Sequence, residues 1–281
     1  MLAHDIRSDL PSFSFIRTMA KRTPHEYWLV FNECENDDPL QCNAPPYEVA
    51  DFYFSQVVYT MFNSSVPGGQ LGADPGADLI IGGVNASPCG ITWLVDFVEA
   101  YRDITEDRLG TAYDPPRTGW HFHIYPEIVP VGWPDPNDPE NGCDTHWAVN
   151  SERLSFDNWR QDALNILGFV WAYGAPTDEI WVTETGCLPG DVTNCGRAGF
   201  MFDYTSALTG WFNNEGRWVD RYAWYTDWND NSTWDDTFLY SSIDPSLVRS
   251  VLGDYYSQIE PASNIPLPWP TTFIYMPLVK Q

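Results

Sequence analysis

Positive charge is scarce in this sequence: 14 Lys and Arg stand against 39 Asp and Glu, a formal net charge of −25 over 281 residues. A field of that sign repels phosphate backbones and anionic headgroups, which argues against nucleic-acid and membrane-surface binding. No run approaches the roughly eighteen consecutive apolar residues of a membrane span. The opening residues, MLAHDIRSDL, lack the basic and apolar regions of a secretory signal. There is no Walker A sequence, no GxGxxG opening a helix after a strand and no GxSxG elbow, so nucleotide chemistry and serine hydrolysis have no motif to rest on. Nor do any two cysteines stand at the close spacing of a zinc knuckle.

What the chain does have is core material, with 43% apolar and 16% aromatic residues. The reading is one globular unit over residues 1–260 and a Pro-rich extended tail over 261–281. Six cysteines, at 34, 42, 89, 143, 187 and 195, all fall in Pro-, Gly-, Asn- or Asp-rich stretches. An even set of loop cysteines reads as disulfides formed in an oxidising, extracytoplasmic setting. Cys34 with Cys42 and Cys187 with Cys195 would each close a short loop, leaving Cys89 and Cys143 as a third pair, although spacing does not fix connectivity. With no export signal in view, the true N-terminus is expected upstream of Met1.

Short β-rich runs alternate with stretches of helical period, the pattern of parallel α/β architecture. Strands are expected at 27–31 (YWLVF), 78–83 (DLIIGG), 119–125 (GWHFHIY), 179–184 (EIWVTE) and 218–226 (WVDRYAWYT). Helices are expected over 11–22, from Pro46 through Met61, over 93–101, 155–173 and 200–211, and from Asp244 to about Ile259. Residues 126–152 read as a long, acidic, Pro-rich loop. That makes about five βα units, with an opening helix left over from a sixth.

In a parallel βα array the loops after the strands share one face, and catalytic groups collect there. Asn32 and Glu33 follow the first strand, Asn85 the second, His121, His123 and Tyr125 lie on the third, Glu184 ends the fourth, and Trp224 sits on the fifth before Trp228. Glu33 and Glu184 each follow an apolar strand, an environment that raises a carboxyl pKa unless a partner offsets it. Glycoside hydrolysis needs one carboxyl protonated and another ionised, and unequal environments supply that split. A lone strand-end Glu more often caps a loop or pairs with Arg; two of them, flanked by Asn and aromatics, favour chemistry. His121 and His123 share a face and with His146 would suffice for a metal site. The hydrogen-bonding role is favoured, because no carboxylate stands at a ligand spacing near them, and no metal or cofactor is expected. The acidic set Asp135, Asp138, Glu140 and Asp144 lacks the order of a calcium loop and reads as solvated surface. Several of the 14 Trp, including Trp133, Trp147, Trp228 and Trp234, stand among loop residues, where an aromatic face suits a sugar ring.

In this order, Asn32-Glu33, the HIY of 123–125, the TETG of 183–186 and the RYAWY of 221–225 resemble successive strand ends of clan A glycoside hydrolases. The nearest likeness is to the catalytic-core group that includes the family 128 β-1,3-glucanases, over about residues 20 to 260. The resemblance implies a TIM (β/α)8-type barrel of which this chain supplies strands four to eight, N-terminally incomplete by roughly a hundred residues. It implies a retaining mechanism with Glu33 as general acid/base, Glu184 as nucleophile and Asn32 on the sugar next to the cleaved bond. By the same likeness Tyr125 steadies the nucleophile, His123 lines the cleft and Trp224 floors a subsite. Asn85, His121 and Trp228 join them as candidate substrate contacts. Cys34 stands where the family usually has Pro. The expected partner is an oligo- or polysaccharide, with a sugar-binding protein that has lost catalysis as the alternative; the oligomeric state is left open.

Overall fold

Each expected apolar strand run contributes a strand to one parallel sheet. The structure, a computed structural model, describes residues 13–22, 24–35, 42, 44–62, 72–125, 128–130, 147–149, 156–186, 198–224, 254 and 256–259. Strands β1 (Tyr27–Val30), β2 (Asp78–Asn85), β3 (Gly119–Ile124), β6 (Glu179–Thr185) and β7 (Arg221–Trp224) pair in parallel, in that spatial order. Between them run α1 (Phe13–Arg22) before β1, then α2 (Pro46–Phe52), α3 (Tyr59–Phe62), α4 (Pro88–Leu109), α5 (Phe156–Tyr173) and α6 (Ala198–Phe212). A wider π-helical stretch, Tyr53–Val58, joins α2 to α3.

The strand order follows the chain without a reversal. A doubly wound sheet reverses at its switch point and carries helices on both faces, whereas successive right-handed crossovers in one direction put the helices on one side and curl the sheet. Five strands so arranged form a curled half-barrel with helices, part of an α/β barrel; among the described residues β1 and β7 each pair with a single strand. Six of the seven residues from Leu79 to Asn85 are apolar or Gly, and every residue of β3 is buried, as strands covered on both faces require. The core gathers Val30, Leu79, Ile81, Trp120, Phe122, Ile180 and Val182 from the strands with Phe97, Tyr101, Phe169 and Val170 from the helices.

Several expectations change. Helix α4 runs for 22 residues, well beyond 93–101, because Ser87 caps it with an oxygen 3.4 Å from Gly90 N–H, Pro88 suits its first turn and Gly110 ends it at φ 76°. The stretch 126–152 is not all loop: β4 (Ile128–Pro130) and β5 (Trp147–Val149) pair antiparallel within it, so Trp147 stands on a strand. The last strand starts at Arg221 rather than 218, since 213–218 form turns and Asp220 is spent on β6: its N–H donates to Ile180 O (2.7 Å) and its carboxylate accepts from Ile180 N–H (2.8 Å). The expected last helix and the tail at 261–281 lie almost wholly outside the described residues, with Asp254 and Tyr256 helical.

At the ends of the strands remote from the candidate residues, Arg117 and Asp178 are both buried and paired at 2.8 Å. The guanidinium also donates to Tyr173 O and Pro115 O and lies 4.4 Å over the Trp120 ring, while Asp178 accepts from Trp120 Nε1 and Ala175 N–H. The pair is a satisfied buried network, the condition under which buried charge is tolerated.

Candidate active site

The chain leaves β1 through two left-handed residues, Phe31 (φ 75°) and Glu33 (φ 48°), with Asn32 between them. Positive φ at bulky residues stores strain, and such strain clusters where a side chain must be aimed. The turn is tied down at once: Glu33 N–H donates to Gly83 O at 2.6 Å, Cys42 N–H to Asn32 O at 3.1 Å, and Cys34 forms a disulfide with Cys42. Gly83 (φ 64°) permits this approach, because a Cβ there would lie 2.7 Å from the His121 ring and 2.8 Å from Phe31 O.

Glu184 reaches the same place through a second irregularity. In a regular strand Thr183 and Glu184 would face opposite ways. The register between β3 and β6 slips between Phe122 and His123, so that Phe122 is opposite Val182 and His123 opposite Glu184. A bulge re-aims side chains in this way, and here Thr183 reaches His121 while Glu184 reaches His123.

His123 lies between the two carboxylates, with Nδ1 2.9 Å from Glu33 Oε1 and 3.5 Å from Glu184 Oε2. The Tyr125 hydroxyl donates to Glu184 Oε2 at 2.7 Å. Both glutamate side chains keep a little exposure, 15% and 16%, whereas His123 is sealed. Burial opposes charge on that imidazole, but Glu184, the hydrogen bond to Glu33 and the Glu33 and Glu35 charges outweigh it and raise the pKa to about 8. His121, two residues back, takes the opposite state. Burial and the neighbouring His123 charge push it down to about 3, and its neutral ring uses both nitrogens, Nδ1 with Thr183 Oγ1 (2.9 Å) and Nε2 with Val30 O (3.1 Å).

The structure therefore brings Glu33, His123, Tyr125 and Glu184 together. Asn32 is buried beside them at the turn. Asn85 is also buried; its Oδ1 accepts from Ser87 N–H at 3.0 Å, and Ser87 in turn caps α4. Trp224 belongs to β7 opposite Thr185, and its side chain, like Trp228, His146, Cys143, Cys187 and Cys195, lies outside the described residues. Cys89 is disulfide-bonded. Sequence reasoning passed over Glu35 and Thr183. Glu35 is only 8% exposed, with Oε1 accepting from Asn85 N–H at 2.6 Å. Its one sequence signal is position, two residues beyond Glu33 and next to a cysteine.

Glu33, His123 and Glu184 each offer a donor atom, and the three atoms lie within 4.8 Å of one another, a set that could in principle receive a metal ion. Such an ion would have to displace the hydrogen bonds that His123 and Tyr125 already make to the two carboxylates. As the site stands, His123 is hydrogen-bonded to Glu33 and Tyr125 to Glu184.

No protein-family model matches the sequence, and comparison with curated proteins gives no match. Solved structures do match. A family 128 (subgroup II) endo-β-1,3-glucanase from Pseudomonas viridiflava superposes with a TM-score of 0.52 at 18% identity, over 89% of this chain and 74% of its own. A subgroup VI exo-β-1,3-glucanase of the same family from Aureobasidium namibiae gives 0.51 at 14% identity, over 84% and 69%. A subgroup VII oligosaccharide-binding protein from Cryptococcus neoformans gives 0.52 at 16%, over 87% and 71%. The chain thus resembles glycoside hydrolase family 128, and at these identities the likeness is one of fold.

Proposed function

We propose that this protein is a retaining glycoside hydrolase acting on a β-linked polysaccharide, with a β-1,3-glucan as the first candidate. The observation that carries this reading is the convergence of Glu33 and Glu184, from the ends of two different strands, on one buried histidine, with donor atoms within 4.8 Å. Retaining enzymes hold their carboxyl groups about 5–5.5 Å apart and inverting ones about 6.5–9.5 Å. One oxygen of each glutamate lies within 4.8 Å of the other, which is compatible with the closer, retaining spacing.

In this mechanism Glu184 attacks the anomeric carbon, the glycosidic bond breaks, and Glu33 delivers its proton to the leaving oxygen. Glu33 then takes a proton from water as that water displaces Glu184 from the glycosyl carbon. Tyr125 occupies Oε2 of Glu184, which leaves Oε1 as the attacking atom and fixes its direction. His123 holds Glu33 through Nδ1 and, once Glu33 has given up its proton, balances two carboxylate charges that would otherwise repel. Asn32, Trp224 and Trp228 complete the proposed substrate-facing set, while His121 and Asn85, buried and hydrogen-bonded within the protein, act through the groups they hold in place. Secretion into an oxidising compartment belongs to the same reading, supported by the Cys34–Cys42 disulfide. Among the described residues no helix is long and apolar enough to cross a membrane.

Glu184→Gln is expected to abolish sugar release from a soluble β-1,3-glucan while calorimetry still registers binding; undiminished turnover in that variant contradicts the assignment. Glu33→Gln should lose roughly 10²- to 10⁴-fold in kcat, the usual value of a positioned proton donor. A second reading is sugar binding without hydrolysis, which is favoured by the equal likeness to the oligosaccharide-binding family member. Binding by the wild type with no sugar released would select it.

A further inference from the structure

Glu35 is a buried carboxyl group beside the site for which the proposed reaction has no use. Its Oε1 accepts from Asn85 N–H at 2.6 Å, and its Oε2 is buried with no hydrogen-bond partner among the described residues. An ionised carboxylate left with an empty buried oxygen is costly, and a neutral acid much less so. The surroundings agree: burial, opposed by the Asn85 N–H, pushes this group up to about 8.

The placement of Glu35 gives that group a task. Glu33 and Glu35 flank Cys34 on one short turn, and both are tied to the end of the same strand, Glu33 N–H to Gly83 O and the Glu35 carboxyl to Asn85 N–H. The disulfide from Cys34 to Cys42 anchors the middle of the turn. From the last residues of β2 the ladder continues to the histidine, since Asn85 is opposite His123 and Ala86 N–H donates to His123 O at 2.9 Å. The Glu35 tie adds to the backbone bond from Glu33 N–H in holding the strained turn to β2.

We propose that Glu35 is a positioning residue, a buried carboxyl clamp that docks the turn after β1 onto the end of β2 and so keeps Glu33 against His123. It acts through Asn85 and the turn rather than on substrate. Only the kinetic part of its test rests on the hydrolase reading; the rest concerns the turn itself.

If the clamp works by accepting the Asn85 N–H, Glu35→Gln preserves it, since the amide oxygen replaces Oε1, while Glu35→Asp, one methylene shorter, loses it but keeps a carboxyl group. Three readouts apply: exchange of the Asn85 amide proton, the NMR signals of the His123 ring, and kcat against KM on a soluble β-1,3-glucan. Glu35→Gln is expected to keep a slowly exchanging Asn85 amide, an unshifted His123 ring and kcat within about threefold of wild type. Glu35→Asp is expected to shift the ring and lower kcat by about tenfold or more at a KM within about threefold, because small misplacements of a reacting group cost that much. Equal damage in both variants, or none in Glu35→Asp, overturns the proposal. If Glu35→Asp does not fold, fast exchange of the Asn85 amide in the wild type or in Glu35→Gln overturns it instead. An inactive wild type with the expected exchange and ring signals would remove the hydrolase reading and leave the clamp standing.

Discussion

His121 and His123 share a strand, a face and nearly complete burial, yet they hold opposite charge states because their neighbours differ. His121 meets a hydroxyl and a carbonyl, neither of which repays the cost of a buried cation, so it stays neutral. His123 meets two carboxylates that do. The native state thus holds a proton on His123, raised to about 8, that an unfolded imidazole at 6.5 releases sooner. Its contribution to stability is fully present below about pH 6.5 and is lost as pH rises through about 8. In urea denaturation the advantage of wild type over His123→Gln should therefore be larger at about pH 5.5 than at about pH 9. An advantage that grows with pH contradicts the assigned charge. At this scale the sequence made the two glutamates, both histidines and Tyr125 legible, because strand ends and strand parity are visible in residue order. It did not reveal Thr183 or Glu35, because a bulge and a disulfide turn them inward and neither device changes composition.

The elements that aim these residues are irregular where the chemistry is placed. β2 slips register between Gly82 and Val84, and β6 between Val182 and Thr185 against β7, all near the ends that carry the candidate groups. Gly83 is the position where substitution should cost most: Ala would adopt φ 64° at about 1–2 kcal/mol and press on His121 and Phe31. Gly83→Ala is expected to lower the thermal midpoint and, by moving Gly83 O, to weaken turnover more than binding; an unchanged midpoint and unchanged kcat contradict this account of the turn. Removing the disulfide by Cys34→Ala with Cys42→Ala should cost roughly 2–3 kcal/mol, the loop-entropy value for so short a ring, measured by chemical denaturation. A loss of zero would mean that the hydrogen bonds alone hold the turn. The five strands were legible as apolar runs, whereas the ends of α4 and the β4–β5 pair were not. Ser87 and Gly110 act through backbone geometry, and Ile128–Pro130 is too short to show a period.

As a whole, the described chain is a curled parallel half-barrel with the Glu33–His123–Glu184 cluster at one end and the Arg117–Asp178 pair at the other. That separation lets stability and activity be altered independently: Arg117→Met leaves Asp178 buried without its partner, at about 3–5 kcal/mol by denaturation, with little effect on sugar binding at temperatures where the variant stays folded. The charge of −25 adds a constraint on substrate. A neutral glucan approaches it without electrostatic penalty, whereas a carboxylated polysaccharide is repelled until salt screens the field, over about 10 Å at 0.1 M. The most direct test of the central claim is the configuration of the first sugar released, followed by proton NMR during hydrolysis of a β-1,3-gluco-oligosaccharide. The β-anomer is expected first, from wild type and not from Glu184→Gln. An α-anomer appearing first would contradict the assignment of Glu184 as the nucleophile of a retaining pair.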